Sequence, residues 1–345
     1  MNDSESFARS LPPNLARPVN ETSWRELLAL PELRAALSRI SSFREAGAFL
    51  EGISRGGADM GVPLTFTVHL VCLLRVLRLL APEVAKQVAA SNGLCCMGAS
   101  EPKVGSHPGK IQTTAKKDGS GWIITGQKTF TTGGPLASMY LILAICGESS
   151  EGRDLGVFLV PRDSSGLSVS TMPPHVGPET ALHANLKLEN VRVPLAARLG
   201  PSDREKNGWT EIAKPFRQWE DSLLSSWVAG LFYRHASELR DALRRREGFQ
   251  VPAGRFFAYA EALSTLAKDA AQTLDEEIAG ADFNSLILRR YASFEVLRGA
   301  KPLLDELSAV LPSPPPEPFG KLRALLAMTD FAKNAREKIV AGAVG

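Results

Sequence analysis

Hydrophobic spacing changes period twice along this chain, and few folds accommodate that. From Trp24 to Asn92 apolar residues recur at helical spacing, as in "SWRELLALPELRAALSRI" and "TFTVHLVCLLRVLRLL". Ser23, with Glu26 three residues on, reads as an N-cap for the first of these helices. At Gly93 the pattern becomes short alternating runs bounded by Gly, Pro, Ser or Asp: "KIQTTAKKDGSGWIITGQKTF", "MYLILAIC", "LGVFLVP", "LSVSTM" and "ANLKLENVRVP". Asp118-Gly119 in the first of them is a hairpin turn. After Gly208-Trp209 the helical period returns in "DSLLSSWVAGLFYRHASELRDALRRR" and persists to the end, broken by the stiff connection "PSPPPEPFG". The expected fold class is α+β multidomain: an N-terminal helical domain over 23–92, a central β domain over 93–208 and a C-terminal helical bundle over 209–345. Residues 1–22, polar and proline-containing, read as a flexible arm.

Composition excludes several function classes. Lys plus Arg number 40 against 37 for Asp plus Glu, and a net charge of +3 is too balanced for nucleic acid or an anionic membrane as main partner. The longest apolar run, "VHLVCLLRVLRLLAP", is interrupted by Arg75 and Arg78 and reads as a buried amphipathic helix too short for membrane insertion. Cys72, Cys95, Cys96 and Cys146 have no metal-like spacing, and adjacent cysteines bridge poorly, so reduced thiols and a cytoplasmic location are expected. The first residues lack the apolar core of a secretory signal. His69 and His235 read as ordinary helix residues, and His175 and His183 are too isolated to build a metal site.

Two hydroxyl clusters stand out at the start of the β region, Ser100 to Ser106 and Thr129 to Thr132. Either alone reads as strand and turn termination. Together with "LENVRVP" they form three ordered words. "SEP..GS" is similar to "TEP..GSD", "WIITGQKTFTTGG" to "Y.L.G.K.WITNG", and "LENVRVP....LG" to "F..V.VP....LG". In these words the chain resembles the acyl-CoA dehydrogenase family of flavoproteins, most strongly from Leu94 to Gly200.

That resemblance implies FAD between the β domain and the C-terminal bundle, with an acyl thioester (acyl-CoA or an acyl-carrier-protein conjugate) against the flavin ring. Met97 to Ser106 would form one wall, including Ala99 and Gly105, with Ser100 bonding the flavin and Ser106 near the pyrophosphate or ligand. Phe130, Thr131 and Thr132 would form the second, Phe130 standing where the family usually has Trp. Small hydroxyl residues beside glycines suit that task, because glycine lets backbone N–H groups approach a ligand closely. His107 replaces the usual Asp. Arg246 and Phe249 match the word that reaches the adenine half of FAD across a subunit interface, which implies a homo- or hetero-oligomer. An electron-transfer flavoprotein is the implied electron acceptor.

The family's C-terminal catalytic Glu is Ala332 here. A second arrangement, resembling the isovaleryl- and long-chain-type enzymes, holds the base on the first helix of the C-terminal bundle. Counting back from Arg246 and Phe249 with Gly230 in register gives Glu220, followed by Asp221 where Arg is common. Helical spacing puts Glu220 on one face with Leu223, Leu224 and Trp227, and Leu224 is expected to line the substrate. A carboxylate among apolar groups is poised to take a proton from carbon. The bland reading of Glu220 is a solvated residue near a helix start. "PSPPPEPF" replaces a Gly-Gly word and lacks the N–H groups of a phosphate cradle. A catalytically silent or unequal subunit of a hetero-oligomer, and a flavin-dependent oxygenase, are therefore the alternatives to an FAD-dependent acyl-CoA dehydrogenase.

Overall fold

Asn20, not Ser23, caps the helix that carries Trp24. Asn20 Oδ1 accepts the Ser23 N–H at 2.9 Å, and the Ser23 hydroxyl faces back to the Asn20 N–H, so the expected cap residue serves as the third position of a capping box. The computed structural model describes residues 3–91, 93–149, 152–173, 179–201, 207–243, 250–278 and 283–308. Its first helices are α1 (Asp3–Ser10), α2 (Pro13–Ala16), α3 (Glu21–Ala29), α4 (Pro31–Arg39), α5 (Phe43–Gly56) and α6 (Gly61–Val71). A π-helical stretch, Cys72–Leu77, continues α6 into α7 (Arg78–Leu80), and α8 (Pro82–Ala90) follows. The strands are β1 (Leu94–Gly98), β2 (Thr114–Asp118), β3 (Gly121–Thr132), β4 (Ala137–Ser149), β5 (Gly152–Pro161), β6 (Leu167–Thr171), β7 (His183–Pro194) and β8 (Arg198–Leu199). Helix resumes with a π-helical turn, Trp209–Ala213, then α9 (Lys214–Leu243), α10 (Gln250–Ile278) and α11 (Phe283–Ser308). The helical–β–helical order bears out the expected fold class.

Contacts divide the chain into two compact units that interleave in sequence. One holds Pro13–Arg39 and Met60–Glu220; the other holds α1, α5 and the helices from Asp221 on. The N-terminal helices therefore do not form a domain of their own. The arm expected over residues 1–22 is also corrected. Small Ser4 and Ala8 of α1 are buried against Gly52 and Gly56 of α5, a close fit that anchors a segment poor in large apolar residues.

In the sheet-containing unit the strand order is β6-β7-β3-β2-β4-β5-β8. β1 and the first residue of β2 both pair in parallel with β4, β1 along Ala137–Ile142 and Thr114 at Ile145. They thus follow one another along the same strand, and residues 99–113 loop out between them. Gly61–Leu80 forms one helix of 20 residues, long and apolar enough to cross a membrane by length and composition, which corrects the expectation of a shorter run. Its most apolar window is 78% buried inside the protein, so it is this unit's core helix. Trp24 of α3 packs edge-on against Phe66 at 5.9 Å, and its indole N–H donates to the Thr180 carbonyl at 2.6 Å.

In the helical unit, Asp275 of α10 accepts the Phe43 and Arg44 N–H groups at the start of α5 (2.7 and 3.1 Å), supplementing the Ser42–Glu45 capping box. Gly230 lets α9 approach α5 closely: a Cβ there would lie 2.3 Å from the Glu51 carbonyl oxygen and 2.8 Å from Ser54 Cβ. Backbone cannot step aside as a flexible side chain can. Gly230→Ala should therefore cost about 1–3 kcal/mol of stability despite alanine's better helix propensity. Urea denaturation with an unchanged or raised midpoint would contradict this.

Candidate functional site

The loop after β1 is held shut by a buried ion pair. Glu101 begins it, and its carboxylate accepts the backbone N–H groups of Gln112 (2.7 Å) and Thr113 (3.0 Å) at the far end. Lys128 of β3 reaches the same carboxylate at 2.7 Å and the Ala99 carbonyl at 3.3 Å. Lys128 is 0% exposed and Glu101 4%. Burial pushes the Lys128 ammonium down to about 8, the Glu101 carboxylate opposing it. Burial also works against charge on Glu101, yet Lys128 and the two backbone donors hold its carboxyl below the ordinary value. Both groups are charged at neutral pH. Within the loop a tight turn exchanges Glu101 and Gly105 backbone hydrogen bonds at 2.9 and 3.0 Å, and Gly105 has φ +62° where glycine is at ease.

This clasp brings the two hydroxyl clusters together. Thr129 N–H donates to the Ser100 carbonyl at 2.9 Å, so Ala99–Glu101 runs beside Lys128–Thr129. The β3–β7 register shifts between Lys128 and Thr131, a bulge that turns Phe130 outward. Phe130 adopts φ +53°, uncommon for a bulky residue, and remains 53% exposed with its ring edge-on to His183 at 6.2 Å. Thr132 Oγ1 lies 3.2 Å from His183 Nδ1 and Thr129 Oγ1 donates to Asn185 at 2.6 Å. Thr131 is fully buried, its hydroxyl without a partner among the described residues, so it faces away from the exposed Phe130. Met97, Ala99 and Ser100 are half-buried, and Gly105 and Ser106 are exposed. His107, in place of Asp, still caps its own turn by accepting the Gly109 N–H at 3.1 Å.

Glu220 is half-buried, at the edge of the same unit. Trp219 beside it is 2% exposed, and the Arg75 guanidinium lies 4.6 Å from the Trp219 ring centre. Its electrostatic neighbourhood includes Cys72, in the π-helical stretch. Burial pushes that thiol up, and a hydrogen bond with Cys95 and the charges of Cys95, Cys96 and Glu220 add to the effect. Cys95 lies two residues before Met97 on β1. Glu220 is thus within electrostatic reach of Cys72, on the core helix. Leu224, one turn on, is half-buried. Arg246, Phe249, Ala332, His175 and "PSPPPEPF" lie outside the described residues. Among the described residues no His, Cys, Asp and Glu cluster could hold a metal.

Sequence reasoning passed over Glu101 and Lys128. Both lay inside the quoted words, and the signal was strand parity: Lys128 stands at the same parity as the buried Trp122 and Ile124.

The acyl-CoA dehydrogenase middle-domain model matches residues 96–191, the span that carries the clasp and both walls. That span, rather more than a quarter of the chain, is similar to the acyl-CoA dehydrogenase middle domain. Cyclohexane-1-carbonyl-CoA dehydrogenase of Geobacter metallireducens is 37% identical over 140 residues, 40% of this chain and 36% of that protein. The match thus spans little more than a third of that relative's length. Butyryl-CoA dehydrogenase from Megasphaera elsdenii superposes with TM-score 0.78 at 16% identity, over 100% of this chain and 98% of that one. A glutaryl-CoA dehydrogenase from Mycobacterium smegmatis, solved with FADH2, gives TM-score 0.71 at 20% identity, over 95% of this chain and 88% of its own. At those identities the likeness shows the acyl-CoA dehydrogenase fold.

Proposed function

We propose that the protein is an FAD-dependent acyl-CoA dehydrogenase with Glu220 as its base. The observation that carries this reading is the shelf of Ser100 and Thr129–Thr132, with Phe130 turned outward on a bulge, within the matched middle domain. The residues present fit an isoalloxazine. The half-exposed Phe130 ring offers a stacking surface, and the half-buried Ser100 and Thr132 are candidate hydroxyl donors. Bound FAD would supply the acceptor for a hydride leaving the substrate β carbon. Ser100 and Thr132 would orient the ring edge, and Met97 would cover it from the β1 side. The Glu220 carboxylate would take the α proton, leaving a carbon–carbon double bond conjugated to the thioester. Acyl-CoA is the substrate class, with an acyl-carrier-protein thioester as its alternative form and an electron-transfer flavoprotein as the electron acceptor. Arg246 and Phe249 would complete the adenine half across an oligomer interface.

The purified protein should bind FAD, and the bound flavin should bleach anaerobically with an acyl-CoA. A protein that takes up no FAD under reconstitution would overturn the reading in favour of a silent subunit. Phe130→Ala should raise the FAD dissociation constant about 2- to 10-fold, the worth of one aromatic stacking contact. Its thermal midpoint should stay near wild type, because a side chain 53% exposed contributes little to the core. Unchanged affinity would remove Phe130 from the site.

A further inference from the structure

A cavity lies where β1 meets helices of the sheet-containing unit. Its volume is about 50 Å³, and it is lined by Leu28 of α3, Arg34 and Leu37 of α4, His69 and Leu73 of the core helix, and Leu94 of β1. All belong to the sheet-containing unit. His69 is 5% exposed, and its Nδ1 accepts the Cys95 backbone N–H at 3.1 Å. An accepting Nδ1 carries no proton, so the proton resides on Nε2. Among the described residues no hydrogen bond reaches that second nitrogen, and the ring that carries it lines the cavity. Burial pushes the His69 pKa down to about 4, so the ring is neutral at physiological pH. The positive charge comes instead from Arg34 at the exposed rim.

The His69 ring, the Arg34 cation at the rim, the Ser38 and Ser91 hydroxyls and leucines on the walls are complementary to a small anion with an apolar tail. Since a water needs roughly 10–15 Å³ measured this way, the cavity holds a ligand of about three to five heavy atoms. We propose that it is a binding site for a short aliphatic carboxylate. One oxygen takes the His69 Nε2–H, the Arg34 guanidinium neutralises the charge, and Leu28, Leu37 and Leu73 cover the chain. The site is separate from the flavin shelf, and the proposal does not rest on the dehydrogenase reading.

The test is a titration of the full chain, labelled with ¹³C at histidine, with propionate. The His69 ring resonance should shift saturably with a dissociation constant on the order of millimolar, as fits so small a ligand. 1-Propanol and propionamide should bind more weakly, since neither satisfies Arg34. Arg34→Ala should weaken propionate about 5- to 10-fold, and Leu37→Trp should abolish binding by filling the cavity from its half-exposed rim. Neither replaced side chain is buried, so both variants should fold, and His69 itself is untouched as the reporter. A His69 signal that moves only linearly with propionate, or saturable binding equal in wild type and both variants, would overturn the proposal.

Discussion

Glu220→Gln should keep its bound flavin yet slow bleaching by an acyl-CoA about 10²–10⁴-fold, the usual cost of losing a general base. The variant keeps the side-chain volume and an acceptor oxygen but cannot take a proton. Proton removal and hydride departure are coupled, so the loss should appear in the reduction rate and leave the flavin dissociation constant near wild type. The placement behind this expectation is local. Glu220 follows the buried Trp219, and its charge reaches Cys72, the thiol hydrogen-bonded to Cys95 at the approach to the first wall. Anaerobic stopped-flow over a panel of acyl-CoA chain lengths makes the measurement. Equal rates in wild type and variant would make Glu220 a bystander while leaving the flavin site intact. Bleaching of neither would count against dehydrogenation itself.

Lys128→Met should destabilise the protein by about 3–5 kcal/mol, because it leaves the Glu101 charge buried with only two backbone donors. The double variant Glu101→Gln/Lys128→Met should recover much of that, since a neutral pair does not need the compensation. A single variant costing less than about 1 kcal/mol would mean that the pair is hydrated in solution. The acid limb follows from Glu101. Its folded carboxyl lies below the ordinary 4.5, so its contribution is fully present above that value. It is lost as pH falls through the lowered folded pKa. Wild type should thus lose stability more steeply in acid than Glu101→Gln, as urea midpoints measured from neutral pH down to pH 3 would register. The same pair joins Ala99–Glu101 to Lys128, so in Lys128→Met flavin affinity should fall along with stability.

The middle region was legible because its signals are short-range. The "DG" turn and the strand alternation depend on backbone periodicity and turn chemistry within a few tens of residues, whereas pairing the two hydroxyl words rested on the resemblance. Asp118 pairs with Gly121 across that turn, and Thr129 N–H reaches the Ser100 carbonyl. The fold class was legible for the same reason, since each change of period reports which side of an element meets the core. What periodicity could not reveal is which helix joins which core. Helices α3 and α4 join the sheet-containing unit while α5 joins the helical one, although all three lie in one stretch of helical periodicity. Partner choice there rests on close steric fits such as Gly230 against the Glu51 carbonyl, and on Asp275 capping the start of α5 from more than two hundred residues away.

Charge inside the core likewise became visible only in three dimensions. In the sequence Lys128 and Glu101 are two polar residues in separate words; in the fold Lys128 of β3 pairs with Glu101 in the loop after β1 and closes that loop. The difference is physical. Periodicity encodes the free energy of removing apolar area from water, which sums residue by residue along one element. A buried ion pair or a bulge at positive φ is stable only when distant segments surround it, and no single segment carries that information. The sequence by itself therefore determined the order of elements and the identity of the two hydroxyl clusters. Tertiary structure alone decided that Phe130 turns outward, that Thr131 turns in, and that His69 presents one ring nitrogen to β1 and leaves the other without a partner among the described residues.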